Sequence, residues 1–185
     1  MNQSTVFLVG VVIAVVAVAI VAWVVVQKTR TKKLRGRFGA EYERTVEQTG
    51  DRRKAEDELE ARRKRVEKFT IRPLSAEERM RFGKEWAVTQ TRFLDDPKCA
   101  VVDANRLVTE LMQARGYPVG DFEQRAADIS VDHPLVVSNY RLAREVAARS
   151  EQGKATTEDL RKAVVSYREL FEELLETPQL VEVAR

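Results

Sequence analysis

VFLVGVVIAVVAVAIVAWVVV occupies residues 6–26 and contains no charged side chain. As a helix, a segment of this length extends about 31 Å at roughly 1.5 Å per residue, which matches the hydrocarbon thickness of a bilayer. The stretch therefore predicts a transmembrane helix, preceded by a short external N-terminus at residues 1–5. The predicted location of every later segment depends on this anchor.

The N-terminal flank favours a permanent anchor over a cleaved signal peptide. Residues 1–5 carry no charged side chain, whereas a signal peptide starts with a basic segment and has a shorter apolar core. A small-x-small cleavage pattern occurs at Ala17, Val18 and Ala19, but it lies in the middle of the apolar run. We therefore expect the segment to remain in the mature protein.

One narrow face of the predicted span carries small residues. Gly10, Ala14 and Ala17 follow one another at spacings of four and three positions. Small residues at this spacing let two membrane helices approach closely. The sequence therefore allows a homodimer through this face.

A basic juxtamembrane segment at residues 27–37 follows the apolar run and sets its orientation. Its cationic side chains are Lys28, Arg30, Lys32, Lys33, Arg35 and Arg37. Basic residues beside a span are retained on the cytoplasmic side, so we expect the N-terminus outside and the C-terminal domain in the cytoplasm. The six side chains are also expected to contact anionic lipid headgroups, at roughly 1 kcal/mol each close to the surface.

Charge is distributed unevenly along the remainder of the chain. Residues 27–74 contain 16 basic and 9 acidic residues, whereas residues 75–185 contain 16 basic and 20 acidic residues. A distal domain with an acidic surplus lacks the positive surface that nucleic-acid binding requires, so no nucleic-acid partner is expected. The single cysteine cannot form an internal disulfide, which agrees with a reducing compartment.

Residues 38–70 predict a long, charged and solvated stalk helix. Opposite charges recur three or four positions apart, as at Glu60 and Lys64, and such pairs support an exposed helix. Apolar residues are too sparse and irregular for a strict coiled coil. Gly50 followed by Asp51 is a place where the stalk could divide in two, with Asp51 as the N-cap of the second part. The sequence leaves open whether the stalk is one helix or two.

Residues 75–176 predict a small helical bundle, and residues 177–185 form a tail. Ser75 and Glu78 have the spacing of a capping box, and Asp96 with Pro97 ends one helix and begins the next. Apolar residues spaced three and four apart give each helix a buried face, and no segment alternates with the period of two typical of strands. The predicted fold class is all-α. The tail could dock on a partner or fold back on the bundle.

Candidate catalytic groups are few. A metal site can be drawn around His133, the only histidine, with Glu123, Asp128 and Asp132. Because Asp132 has the position of a helix cap, His133 is better explained as an exposed residue at a helix start. A nucleophile pair of Cys99 with His133 would require two helix starts to meet, and Cys99 is expected to be a small, at least half-buried residue. No catalytic, cofactor-binding or metal-binding residue is assigned, and no cofactor is expected.

Three stretches of the chain resemble a family of bacterial proteins. They are LRGRFGAEY at residues 34–42, IRPLS at residues 71–75, and the segment from GYP to DHP at residues 116–134. The family is uncharacterised, has one N-terminal membrane span, and its members are often labelled hypothetical or secreted proteins. Members often have proline where this chain has Ala40, and either residue suits a helix start. The resemblance implies a bacterial membrane protein and brings no catalytic residues.

The function expected from these features is non-enzymatic. The chain is predicted to be a single-pass protein of the bacterial cytoplasmic membrane that presents a helical bundle as an interaction or scaffold module. Its partners would be the anionic bilayer surface and a protein that the sequence does not identify. The alternatives are an exported envelope protein with the helical domain outside the membrane, and a metal-dependent enzyme around His133.

Overall fold

A computed structural model describes the backbone of residues 3–176 and the side chains of residues 16–176. This part of the chain forms eight helices and no strand, which confirms the all-α class. The helices are α1 (Gln3–Phe38), α2 (Ala40–Thr49), α3 (Arg52–Val66), α4 (Ala76–Asp95), α5 (Pro97–Ala114), α6 (Phe122–Asp132), α7 (Val137–Glu151) and α8 (Thr157–Glu176).

Several helix starts lie where the capping residues predict them. Ser75 Oγ accepts from the backbone N–H of Glu78 at 3.1 Å, and the Glu78 carboxylate accepts from the backbone N–H of Ser75 at 2.9 Å. Asp51 accepts from the N–H of Arg53 at 2.8 Å, and Asp96 accepts from the N–H of Cys99 at 3.0 Å. The capping box and both predicted N-caps are confirmed.

The capping box gives a prediction for acid stability. Hydrogen bonds from Arg72 and then from the Ser75 backbone hold the pKa of Glu78 at about 2, below its ordinary value of 4.5. A carboxyl group with a lowered folded pKa stabilises the fold above its ordinary pKa, and this contribution is lost as pH falls from about 4.5 to 2. Glu78→Gln should therefore lower the urea midpoint at pH 7, with the difference from wild type vanishing near pH 2. A constant difference across this range, or an equal one in the exposed neighbour Glu77→Gln, would contradict the assignment.

The larger of two hydrophobic cores lies among α4, α5, α7 and α8. Helix α8 packs against both α5 and α7, and α4 packs against α5. The rings of Trp86 and Phe171 stack with centroids 4.6 Å apart and thereby join α4 to α8. Tyr140 and Tyr167 are fully buried where α7 meets α8. The apolar faces predicted in residues 75–176 thus meet in one core.

The stalk predicted over residues 38–70 consists of two helices, the alternative that Gly50 and Asp51 indicate, and the prediction that it is solvated is wrong. The chain divides at Gly50, whose φ of 64° ends α2, and Asp51 then caps α3. The sparse apolar residues of this region are buried rather than solvated, because α1, α2 and α3 pack together and against α6. The second core consists of Leu34, Phe38, Tyr42, Leu59, Val66 and Val131.

The three helices of this second core have a defined order. Trp23 of α1 contacts Arg53 of α3, and Arg30 further along α1 pairs with Asp57 further along α3 at 2.7 Å, so α1 and α3 run side by side in the same direction. Helix α2 runs antiparallel to both, because Glu41 at its start contacts Arg62 near the end of α3. The α2–α3 turn at residues 49–51 therefore lies beside the middle of α1.

The structure describes the side chains of only part of the predicted transmembrane helix. Helix α1 contains the whole apolar run, and the side chains of residues 6–15, including Gly10 and Ala14, lie outside the described residues. Within residues 16–176, whose side chains the structure describes, no helix has the length and apolar character needed to cross a membrane. Ala17 is exposed, and the tail at residues 177–185 lies outside the described residues.

The expected helix start at Asp132 and His133 is wrong. Helix α6 ends at Asp132, and the backbone N–H of His133 donates to Ile129 O at 2.8 Å to close its last turn. Helix α7 begins only at Val137 and has no side-chain cap. Asp132 is not free to cap α7, because its carboxylate accepts from the Tyr117 hydroxyl at 2.9 Å.

Candidate functional site

A buried ionic cluster joins α2, α3 and α7. The Glu41 carboxylate is 3 % exposed and accepts from Arg62 Nη1 at 3.1 Å and from Arg141 Nη2 at 2.8 Å. Both guanidinium groups are also buried, and each contacts a second carboxylate nearer the surface, Glu58 for Arg62 and Glu123 for Arg141. The cluster therefore connects the first three helices to the bundle.

The charges of the cluster compensate for its burial. Burial on its own lowers the pKa of Arg141, but hydrogen bonds and charge attraction from Glu41 and Glu123 outweigh it and raise this pKa. A buried ion pair persists only where such partners are present, because desolvation of each charge is costly. Arg141 is thus held charged at the base of a surface groove.

A second ionic contact lies beside the first. The Asp128 side chain is almost fully buried and accepts from Arg65 Nε at 2.8 Å and from Gln124 Nε2 at 3.0 Å. Arg37 Nε of α1 donates to the backbone oxygen of Val131 at 3.3 Å. Helix α6 is therefore attached to both α3 and α1, and the first three helices form one body with the bundle.

A groove of about 510 Å³ opens above Glu41 and Arg141, between α2, α6 and α7. We call it the α2–α7 groove. Its apolar wall is formed by Phe122, Pro134, Val137 and Leu142. Its cationic side chains besides Arg141 are Arg44 and Arg144, and its acidic ones besides Glu41 are Glu123 and Glu145.

Two arginines of the groove are incompletely hydrogen-bonded. The Nε atoms of Arg44 and Arg141 are buried and have no hydrogen-bond partner in the described part of the chain. Arg141 differs in that its other guanidinium nitrogens contact Glu41 and Glu123. A buried donor without an acceptor costs free energy, on the order of 1–3 kcal/mol. Arg144 pairs with the exposed Glu151 at 3.5 Å. The groove therefore offers an apolar wall and two cations to a ligand that carries apolar groups and a carboxylate.

The six basic residues predicted to contact lipid differ in their surroundings. The arginines have protein partners, since Arg30 pairs with Asp57 at 2.7 Å, Arg35 with Glu43 at 2.9 Å, and Arg37 with Asp132 at 3.8 Å. The lysines, Lys28, Lys32 and Lys33, are exposed and have no ion pair within the described residues. Lipid contact remains a prediction for all six, and the lysines are the better placed for it.

The structure corrects the surroundings of His133. Its side chain is buried rather than exposed, and Nδ1 lies 3.1 Å from Glu173 Oε1 on α8. Burial, together with the Asp132 carboxylate, raises the pKa of the neighbouring Tyr117 far above its usual value, so this hydroxyl remains a hydrogen-bond donor. Among residues 16–176, no group of three histidine, cysteine or acidic side chains is arranged to hold a metal ion.

Cys99 is exposed, which corrects the expectation of a half-buried residue. It lies in the first turn of α5, where Ala100 and Val101 occupy the buried face instead. A hydrogen bond to Asp96 raises the pKa of the Cys99 thiol, which opposes formation of the nucleophilic thiolate. His133 lies instead between α6 and α8, and no hydrogen bond joins it to Cys99 in the described chain.

Comparison of the chain with family models, with curated proteins and with solved structures finds no match in any of the three.

Sequence reasoning missed the α2–α7 groove. Its residues come from three helices, and Glu41 and Arg141 are 100 positions apart in the sequence. Arg44 gives no sequence signal, because Glu41 and Glu47 lie three positions away on either side, at a spacing typical of helical ion pairs.

Proposed function

We propose that the chain is a single-pass protein of the bacterial cytoplasmic membrane that holds its helical bundle at the cytoplasmic face as a protein-interaction module. One observation carries the membrane part of this proposal. The large apolar side chains between Val16 and Val26 are exposed, whereas Leu34 and Phe38 of the same helix are buried. An apolar segment of this length that the rest of the protein does not cover favours a location in the hydrocarbon of a bilayer.

The basic residues support the orientation. Lys28, Lys32 and Lys33 follow the apolar segment directly and are exposed, and the N-terminal flank has no charged side chain. Positive charge beside a span favours retention on the cytoplasmic side. The bundle would then lie in the cytoplasm, close to other membrane-bound proteins, where tethering raises its effective concentration.

The membrane topology is tested with two reporters fused after Arg185. We expect a fluorescent protein that folds only in the cytoplasm to be bright, and a phosphatase that is active only outside to be inactive. The full chain should also stay in the membrane pellet after alkaline carbonate extraction. An active phosphatase would favour the exported alternative, and release into the supernatant would overturn the anchor.

The α2–α7 groove supports the interaction part of the proposal. Its apolar wall, the incompletely bonded Arg44 and the half-buried Arg144 together suit an amphipathic segment of a partner protein with an acidic side chain. Arginine is frequent among the residues that dominate binding energy at protein interfaces. The partner carboxylate would then accept from Arg44, and its apolar side chains would lie against Phe122 and Val137.

Arg44→Glu is the variant that tests the groove. We expect partner binding, measured by pull-down from gently solubilised membranes with the full chain as bait, to weaken at least about tenfold. Lys162→Glu makes the same change of charge at an exposed position on α8 and should leave binding within about twofold. Equal recovery of the same partner by Arg44→Glu and wild type would exclude the groove as the binding site.

A further inference from the structure

The structure brings a second set of basic residues next to the end of the apolar segment. The Arg53 guanidinium lies over the Trp23 ring, 5.3 Å from its centroid. This contact follows from the parallel arrangement of α1 and α3, which places the start of α3 beside residues 23–28. The sequence separates Trp23 and Arg53 by 30 positions, and only the fold makes them neighbours.

A hollow of about 230 Å³ lies between these parts of α1 and α3. It is lined from α1 by Trp23, Val24, Gln27, Lys28 and Thr31, and from α3 by Arg52, Arg53 and Glu56. Lys28 and Arg53 have no ion pair within the described residues, so their charges are available to a ligand. We call it the α1–α3 hollow.

The one acidic residue that lines the hollow, Glu56, is already hydrogen-bonded, and three cationic residues line it. Glu56 Oε1 is buried and accepts from Thr31 at 2.7 Å, from Tyr42 at 2.9 Å and from Arg52 at 3.2 Å. Burial alone would raise the pKa of Glu56, but these three hydrogen bonds outweigh it and lower this pKa. Asp51 accepts from the backbone N–H groups at the start of α3. The α1–α3 hollow therefore has a surplus of positive charge.

An apolar surface continues directly from the hollow. Trp23 is 51 % exposed, and Val24 and Val25 are exposed on the same stretch of α1. A ligand that fits both surfaces carries an anionic group at one end and hydrocarbon at the other. This combination selects a phospholipid over a free phosphate ion, because a free ion would leave the apolar surface unused.

We propose that the α1–α3 hollow binds the phosphodiester headgroup of an anionic phospholipid. The proposal rests on the membrane anchor proposed above and adds a defined site to it. Lys28 and Arg53 would donate to the phosphate oxygens, and Trp23 would lie at the level of the headgroup. The bound lipid would hold the start of α3 against the bilayer.

The test compares two pairs of substitutions in the full chain. Lys28→Gln with Arg53→Gln removes the two free cations of the hollow, and Lys32→Gln with Lys33→Gln removes two exposed cations outside it. Detergent-solubilised protein is titrated with phosphatidylglycerol or phosphatidylcholine, and bound lipid is counted by native mass spectrometry. We expect the first pair to weaken phosphatidylglycerol binding at least about tenfold and the second to change it less than about threefold.

Three results would overturn the proposal. Equal losses in the two pairs would indicate a diffuse charge effect, and equal binding of both lipids by wild type would exclude selection of an anionic headgroup. Displacement of the lipid by millimolar inorganic phosphate would assign the site to free phosphate instead. If wild type stays in the carbonate-extracted membrane but fails this test, only the lipid site is wrong. Release from the membrane would instead contradict the anchor itself.

Discussion

Glu41→Ala is expected to lower the free energy of unfolding of the full chain by about 3 kcal/mol. The substitution removes the carboxylate that Arg62 and Arg141 share and leaves both guanidinium groups buried, at 6 % and 9 % exposure. Loss of one partner of a buried ion pair costs roughly 3–5 kcal/mol. We expect the lower end of this range, because Glu58 and Glu123 still contact the two arginines.

The measurement is urea denaturation of the purified protein, with Glu43→Ala as the matched control. Glu43 is on the same helix, is exposed and pairs with Arg35 on the surface, so its loss should change stability by less than about 0.5 kcal/mol. Replacing Glu41, Arg62 and Arg141 together by apolar residues of similar size should restore most of the lost stability. Similar stabilities for Glu41→Ala and Glu43→Ala would show that the buried cluster does not join α2 and α3 to the bundle.

Phe171→Ala is expected to have the largest effect in the bundle, about 3–5 kcal/mol of lost stability. Phe171 is 1 % exposed and stacks on Trp86, with the ring planes inclined by 18°. The substitution leaves a cavity where α8 meets α4, and the surrounding helices can fill it only in part. Thermal unfolding should shift downward by roughly 2–4 °C for each kcal/mol in a chain of this size.

The control for Phe171→Ala is Leu94→Ala, which removes a large apolar side chain from the same bundle. Leu94 lies near the end of α4 and is 83 % exposed, so its removal opens no cavity and should shift the melting temperature by no more than about 2 °C. Phe171→Leu, which retains much of the volume, should lose less stability than Phe171→Ala. Comparable shifts for Phe171→Ala and Leu94→Ala would contradict the arrangement of the larger core.

The bundle was predictable because its signals are local. Ser75, Glu78 and Asp96 bond to backbone groups a few positions away, so their spacing alone predicts the helix starts. The stripe of Phe82 and Trp86 has a helical period and lies in the core as expected. Elements of this kind depend little on the rest of the chain.

The burial of helices α2 and α3 was not predicted, because their partners are remote in sequence. Few of their residues are apolar, which is typical of a solvated helix, yet Tyr42 and Leu59 are buried by α1 and α6. Their charged residues pair with other helices as well as along their own, as Arg65 does with Asp128, 63 positions away. No short-range pattern distinguishes these pairs from the i,i+4 pairs of an exposed helix.

The surroundings of His133 were missed for a similar reason. Asp132 has the spacing of an N-cap, but its carboxylate contacts the Tyr117 hydroxyl and Arg37 instead and does not cap α7. Helix α8 lies beside His133, and its Glu173, which is 40 positions later in the sequence, contacts the imidazole. A capping motif predicts a helix start only when no distant group competes for the same oxygen atoms.

Helix α1 continues without a break from the apolar segment into the second core, where its Leu34 and Phe38 are buried. Between residue 26 and Phe38 it extends about 18 Å and contains no proline or turn that could act as a hinge. If the proposed anchor tilts in the membrane, the bundle and its groove would rotate together with α1 as one rigid body. Since helix tilt depends on bilayer thickness, a thinner or thicker membrane would present the groove to partners at a different angle.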